Sequence, residues 1–163
     1  MKKAIVLDTA GLFIAQALSS YGELWTVPEA VEEVLDEDSR RGLENMIEAG
    51  RIRIDSPPRS SIEEVRRIAA EKDFEEALSD VDLKIVALAY ELRRSGFKPI
   101  IYSDDSFVHR LARAIGIECV SIKRVVRGGG RIKIYVCDVC GFKTYKYSDR
   151  CPVCGSRLRI SYK

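Results

Sequence analysis

Residues 4–7 read Ala-Ile-Val-Leu, an apolar run with two β-branched residues and no polar alternation. A strand of that kind is buried on both faces, which places it inside a parallel sheet covered by helices. The run stops at Asp8-Thr9, and a helical pattern over Ala10–Ser20 follows at once. Asp8 therefore stands at the carboxyl end of a central strand, where open α/β sheets place ligands. Asp8 or Thr9 also suits a helix N-cap, worth about 1 kcal/mol. Position alone leaves both roles open.

The chain continues as strands alternating with helices. Glu23–Val27 reads as a short strand, and Pro28 opens a helix bearing Glu29, Glu32 and Glu33. Ala30, Val31, Val34 and Leu35 form its expected apolar stripe, and Leu43, Met46 and Ile47 carry a helical pattern on to Gly50. Arg51–Asp55 alternates polar and apolar, as an edge strand does. Ser61 and Glu64 have capping-box spacing for a helix that buries Ile62, Val65 and Ile68. Ser79 caps a long helix from Asp80 to Ser95 that buries Val81, Ile85, Leu88 and Leu92 and stops at Gly96. Pro99–Ser103 is a second short apolar run, ending in Asp104-Asp105. A helix to Gly116 and a strand over Ile117–Val120 follow. This order predicts an α/β domain over residues 1–120 with a mainly parallel sheet.

Charge changes sign after that domain. Residues 121–163 carry eleven Lys and Arg against two acids, whereas residues 1–120 carry a formal −7. An acidic body with a basic tail points to a polyanion that the tail holds. Residues 121–131 read as a basic linker whose Gly128-Gly129-Gly130 serves as a hinge; no Gly-Lys-Ser/Thr follows to make a phosphate loop. No stretch approaches the ~20 apolar residues of a membrane helix, and the first apolar run is too short for a signal peptide. The expected location is the cytoplasm, with no membrane partner.

Residues 132–163 hold Cys137-x-x-Cys140 and Cys151-x-x-Cys154, each followed by glycine. Two such turns aim four thiolates at one point, a tetrahedral site that suits one structural Zn²⁺. Disulfides and a redox C-x-x-C are the alternatives; the expected intracellular setting and the duplicated motif argue against them. Four protein ligands leave no open position, so such a metal is structural. About thirty residues cannot build a core alone, and zinc supplies the missing folding free energy. Arg131, Lys133, Lys143, Lys146 and Arg157 surround the site, interleaved with aromatics such as Tyr145. Cations bind phosphates and rings stack on unpaired bases, which makes these the candidate RNA contacts.

Carboxylates also gather near helix starts: Asp8, Glu33, Asp82, and Asp104 or Asp105. Separately, each suits a cap or a solvated helix face. Together they need a counter-charge, because two carboxylates about 4 Å apart repel by roughly 4 kcal/mol at a protein surface. Oxygen-only ligands favour Mg²⁺ or Mn²⁺, ions that activate water against a phosphodiester.

The motifs Ile5-Val6-Leu7-Asp8-Thr9, Val31-Glu32-Glu33-Val34, Leu78-Ser79-Asp80-Val81-Asp82 and Tyr102-Ser103-Asp104-Asp105 resemble, in that order, those of the PIN-domain ribonucleases. With the ribbon that follows, the chain is similar to the NOB-one family, endonucleases that generate the mature 3′ end of small-subunit ribosomal RNA. The resemblance implies a PIN-like fold and catalytic Mn²⁺ or Mg²⁺ held by Asp8, Glu33, Asp82 and Asp105, with Asp104 in support. It implies ribosomal RNA precursor, within the small-subunit precursor, as partner, and leaves room for an RNA-binding assembly factor. His109-Arg110 stands where many relatives are expected to carry Gln-Asn, and His109 is expected on the surface without a catalytic role. The competing readings are a toxin-type PIN ribonuclease and a non-catalytic RNA-binding assembly factor.

Overall fold

The structure, a computed structural model, describes residues 1–73, 75–126, 133–144 and 146–162. The chain runs β1 (Lys3–Leu7), α1 (Thr9–Leu12), α2 (Ala15–Leu18), β2 (Glu23–Thr26), α3 (Pro28–Glu32), α4 (Glu37–Glu48), β3 (Ile52–Ile54) and α5 (Arg59–Glu71). A 3-10 turn at Glu75–Ala77 leads to α6 (Asp80–Arg94), β4 (Lys98–Tyr102), α7 (Ser106–Ile115), β5 (Glu118–Val120) and α8 (Ile122–Val126). The last part holds β6 (Lys133–Val136), β7 (Lys143–Thr144) and β8 (Arg159–Tyr162).

Five strands form a sheet in the order β3-β2-β1-β4-β5, every pairing parallel. The opening strand is central as its composition demands: Ala4, Ile5, Val6 and Leu7 are all buried. β3 lies at an edge, matching its polar alternation. Helix α6 is buried almost all round from Leu83 to Ala89, because it packs against β1, β4, α5 and α7.

Four local expectations change. The single helix expected over 10–20 is two short ones, α1 and α2. Phe13 and Ile14 donate to Ala10 and Gly11, bonds that tighten the turn and let Leu12, Ile14, Ala15 and Leu18 all reach the core. Leu35 is 64% exposed rather than part of the α3 stripe, since α3 ends at Glu32. Ser61 is not a cap: α5 starts at Arg59, and the buried Ser61 hydroxyl donates to Glu91 at 2.5 Å. His109 is half-buried rather than on the surface, and its contact is described below.

The last part is a small antiparallel sheet, β7-β6-β8. Ile134 of β6 belongs to the main core and Val136 packs against it, while Lys133 Nζ lies 2.7 Å from Asp36 at the start of α4. Residues 122–126, at the head of the expected linker, are helical, and Ile122 is fully buried. The three glycines and Arg131 lie outside the described residues. Among the described residues, no helix is long and apolar enough to cross a membrane.

Candidate active site

Parallel pairing sets Leu7 opposite Tyr102, so the chain leaves β1 and β4 side by side. Asp8 and the Asp104-Asp105 pair follow those two residues. The capping and ligand roles prove compatible. Asp8 caps α1, its Oδ1 accepting from Gly11 N at 2.6 Å, and Asp105 caps α7, its Oδ1 accepting from Phe107 N at 2.8 Å and Val108 N at 3.1 Å. Each cap uses Oδ1 and leaves the carboxylate a second oxygen. At Gly11 a Cβ would approach Asp8 Oδ1 to 3.3 Å, so the glycine keeps that turn close to the carboxylate.

Asp8 is 8% exposed. Burial pushes its pKa up to about 6; the Ser103 hydroxyl and the Gly11 amide hold it down, while the charges of Asp82 and Asp104 push further up. Asp82, in the first turn of α6, is also raised, by burial and then by Asp105 and Glu33. Cys119 on β5 reports the same field, its thiol pushed up to about 12 by burial and by Asp8, Asp104 and Asp105. The acids expected to meet therefore feel one another's charge. They are not drawn to ligand spacing. Among the described residues the cysteines are the one group whose ligand atoms converge that closely.

Glu33 arrives by another route. It is the residue just after α3, capping its carboxyl end, and its Oε2 accepts from Thr9 Oγ1 at 2.5 Å. Lys146, from the residues after β7, brings Nζ to 3.3 Å from the same oxygen. Asp104 is held by the Ser121 hydroxyl on Oδ1 at 2.6 Å, whereas its Oδ2 is buried without a hydrogen-bond partner. A buried, unsatisfied carboxylate oxygen beside other carboxylates fits a hard divalent cation.

Sequence reasoning missed three supporting residues. Thr9 suits a cap by its position, yet its hydroxyl orients Glu33. Ser103 is fully buried between the strand end and the acids, and its hydroxyl accepts from Asp105 N at 3.1 Å. His109 Nε2 lies 2.7 Å from the Ser103 carbonyl, so that nitrogen carries the proton it donates. The available signal was adjacency: Thr9 follows Asp8, and Ser103 precedes Asp104.

The cysteine cluster is fully formed. Cys137, Cys140, Cys151 and Cys154 offer sulfurs that all lie within 4.8 Å of one another. Two of those separations are 3.4 Å (Cys137–Cys154) and 3.5 Å (Cys140–Cys151), close to the tetrahedral edge of about 3.8 Å set by Zn–S bonds. The two knuckles repeat each other: Gly141 and Gly155, both at positive φ, donate to the Cys137 and Cys151 carbonyls at 2.9 Å. Hydrogen bonds from Ser156 bring the Cys154 thiol down to about 6, whereas at Cys140 the Phe142 amide is outweighed by burial and the other three sulfurs, which push the thiol up to about 12, the split that four crowded thiols produce. The site fits a zinc ribbon.

Of the candidate RNA contacts, Lys143, Lys146 and Arg157 are exposed. Lys133 turns inward to Asp36; burial opposes the charged carboxylate there, but hydrogen bonds from Lys133 and Ser39 hold its pKa below the usual range. Arg131 and Tyr145 lie outside the described residues.

A family profile described as the PIN domain of ribonuclease matches residues 5–92. Endoribonuclease Nob1 of Pyrococcus abyssi is 35% identical over 98% of this chain and 94% of its own length. Endoribonuclease Nob1 of Archaeoglobus fulgidus is 33% identical over 95% of this chain and 89% of its own. Ribonuclease VapC3 of Aeropyrum pernix is 34% identical over 75% of this chain and 88% of its own. By these likenesses the chain belongs to the PIN-domain ribonucleases and, within them, to the Nob1 endoribonucleases.

Proposed function

We propose that this protein is a divalent-metal-dependent, single-strand-specific endoribonuclease that matures the 3′ end of small-subunit ribosomal RNA precursor in the cytoplasm. The observation that carries the chemistry is Asp8: buried at the end of the central strand, and coupled by charge to Asp82 and Asp104. Asp8, Glu33, Asp82 and Asp105 would hold one or two Mn²⁺ or Mg²⁺ ions, with Asp104 in support through its unsatisfied oxygen. Such ions, when bound, activate a water and neutralise charge building on the phosphate. Thr9 holds Glu33 in place, and Ser103 braces the Asp105 turn. Attack of the water oxygen on phosphorus, with loss of the 3′ oxygen, leaves 5′-phosphate and 3′-hydroxyl ends.

The four cysteines would carry one structural Zn²⁺. Lys143, Lys146 and Arg157 of the ribbon, with Arg131 and Tyr145 beside them, would hold the RNA, and Lys133 would tie the ribbon to the domain. An RNA-binding assembly factor is a fitting delivery partner. Likeness to the Nob1 proteins runs through the ribbon, whereas the VapC3 likeness covers 75% of the chain, which favours the ribosomal substrate over a toxin-type one.

The test is incubation of RNA spanning the small-subunit 3′ end with and without Mn²⁺, followed by mapping of product ends. One Mn²⁺-dependent cut with a 5′-phosphate product is expected. Cleavage of transfer or messenger RNA with the ribosomal precursor untouched would move the reading to the toxin type. No cleavage of any RNA would leave an assembly factor.

A further inference from the structure

The ribbon does more than flank the acids, because one of its lysines enters their cluster. Lys146 Nζ lies 3.3 Å from Glu33 Oε2, across 113 residues of sequence, with the two side chains 54% and 34% exposed. The reach rests on anchored backbone. The Lys146 amide donates to Thr144 Oγ1 at 3.1 Å, and Thr144 pairs in register with Tyr135 of β6. β6 is itself fixed to the domain by the Lys133–Asp36 ion pair, whose side chains are 15% and 13% exposed, and by Ile134 in the core. Asp36 lies three residues beyond Glu33, so two ribbon lysines grip the same α3–α4 junction.

An ammonium on Glu33 Oε2 occupies charge that a divalent ion at the acid cluster would need. A lysine is also a compact cation on a flexible stem with three donors, able to exchange a carboxylate for a nearby phosphate oxygen. Glu33, once released, would join the acids that hold a divalent ion, and the freed ammonium would turn to an RNA phosphate.

We propose that Lys146 is a cleavage-centre residue supplied by the ribbon: its ammonium, which pairs with Glu33 Oε2, would pass to the RNA phosphate beside the scissile bond when Glu33 joins the other acids in holding a divalent ion. This rests on the nuclease reading above and deepens it, since Lys146 then belongs to the centre and not to a distant grip.

The experiment compares the full-length zinc-loaded protein with Lys146→Gln and Lys146→Arg. Mn²⁺ binding without RNA is followed by the resonance of free Mn²⁺, and kcat/KM by cleavage of the ribosomal precursor RNA. Lys146→Gln should bind Mn²⁺ roughly two- to fivefold more tightly, the range for losing one exposed competing ion pair. It should cleave roughly ten- to a hundredfold less efficiently, the range for a lost charge-assisted hydrogen bond. Lys146→Arg should restore much of both. Opposite signs in the two readouts are something a merely damaged ribbon would not produce. Unchanged Mn²⁺ affinity in Lys146→Gln, or unchanged kcat/KM while the wild type cleaves, overturns the proposal and spares the nuclease reading. Failure of the wild type to cleave any RNA overturns both.

Discussion

The Thr9 hydroxyl donates to Glu33 Oε2 at 2.5 Å, joining the turn after β1 to the end of α3. Two of the four candidate metal ligands, Asp8 and Glu33, are thereby linked through one buried threonine. Thr9→Val keeps the shape and removes the donor. Cleavage should fall roughly tenfold, as for loss of one hydrogen bond to a charged group, with Thr9→Ser close to wild type. Single-turnover kinetics at saturating Mn²⁺ check this, and wild-type rates in Thr9→Val would remove Thr9 from the site.

Asp8 gives a pH signature when no divalent ion is added for the acids to hold. Its folded pKa of about 6 lies above the ordinary 3.8, so the fold favours the protonated carboxyl. Below about pH 4 both folded and unfolded chains hold the proton and the penalty vanishes. The penalty grows as pH rises toward 6 and is complete above it. Asp8→Asn removes it while keeping an oxygen for the Gly11 cap. The variant should gain up to about 3 kcal/mol at pH 7, shrinking toward pH 4, and should lose cleavage. Urea denaturation at several pH values measures the gain; a constant difference across pH would contradict the buried-acid account. Mn²⁺ should raise the Tm of the wild type and not of Asp8→Asn.

Asp36→Asn retains the helix cap and breaks the pair with Lys133. Because both side chains are largely covered, the cost should be about 1–3 kcal/mol, with Asp36→Asn/Lys133→Met recovering part of it. Amide exchange in β6 should accelerate in the single variant. Unaltered β6 protection would mean that the ion pair does not hold the ribbon.

Metal removal separates the two sheets. Stripping the cysteine cluster with a chelator, or making Cys151→Ser, should release one zinc per chain and melt the β7-β6-β8 ladder. The helix signal of the larger domain should persist, because its core is built on β1–β5 and the helices and draws only Ile134 and Val136 from β6. A colorimetric zinc assay beside circular dichroism checks both halves.

Ser61 and Glu64 distinguish a cap from a buried contact. Ser61→Ala should cost about 1–2 kcal/mol by leaving Glu91 without its buried donor, whereas Glu64→Ala, which loses only a surface pair with Arg67, should cost under about 0.5 kcal/mol. Thermal denaturation of the two variants checks the order. Equal losses would restore the capping-box reading.

Much of this molecule was legible in the chain because local patterns carry their own physics. The run Ala4–Leu7 can only be comfortable with both faces covered, so it dictated a central parallel strand. The repeated C-x-x-C-G units dictated two knuckles because glycine adopts, without steric cost, the positive φ that closes each one. Asp8, Asp82 and Asp105 could be placed at element starts for the same reason: each caps a helix or lies in its first turn. What spacing does not encode is which distant groups share an atom. That Glu33 receives both Thr9 and Lys146, that Ser61 serves Glu91, and that His109 braces Ser103 all depend on how helices and ribbon pack over the sheet. Such contacts cost each partner little in its own segment, so they leave no periodic trace there and exist only once the chain is folded.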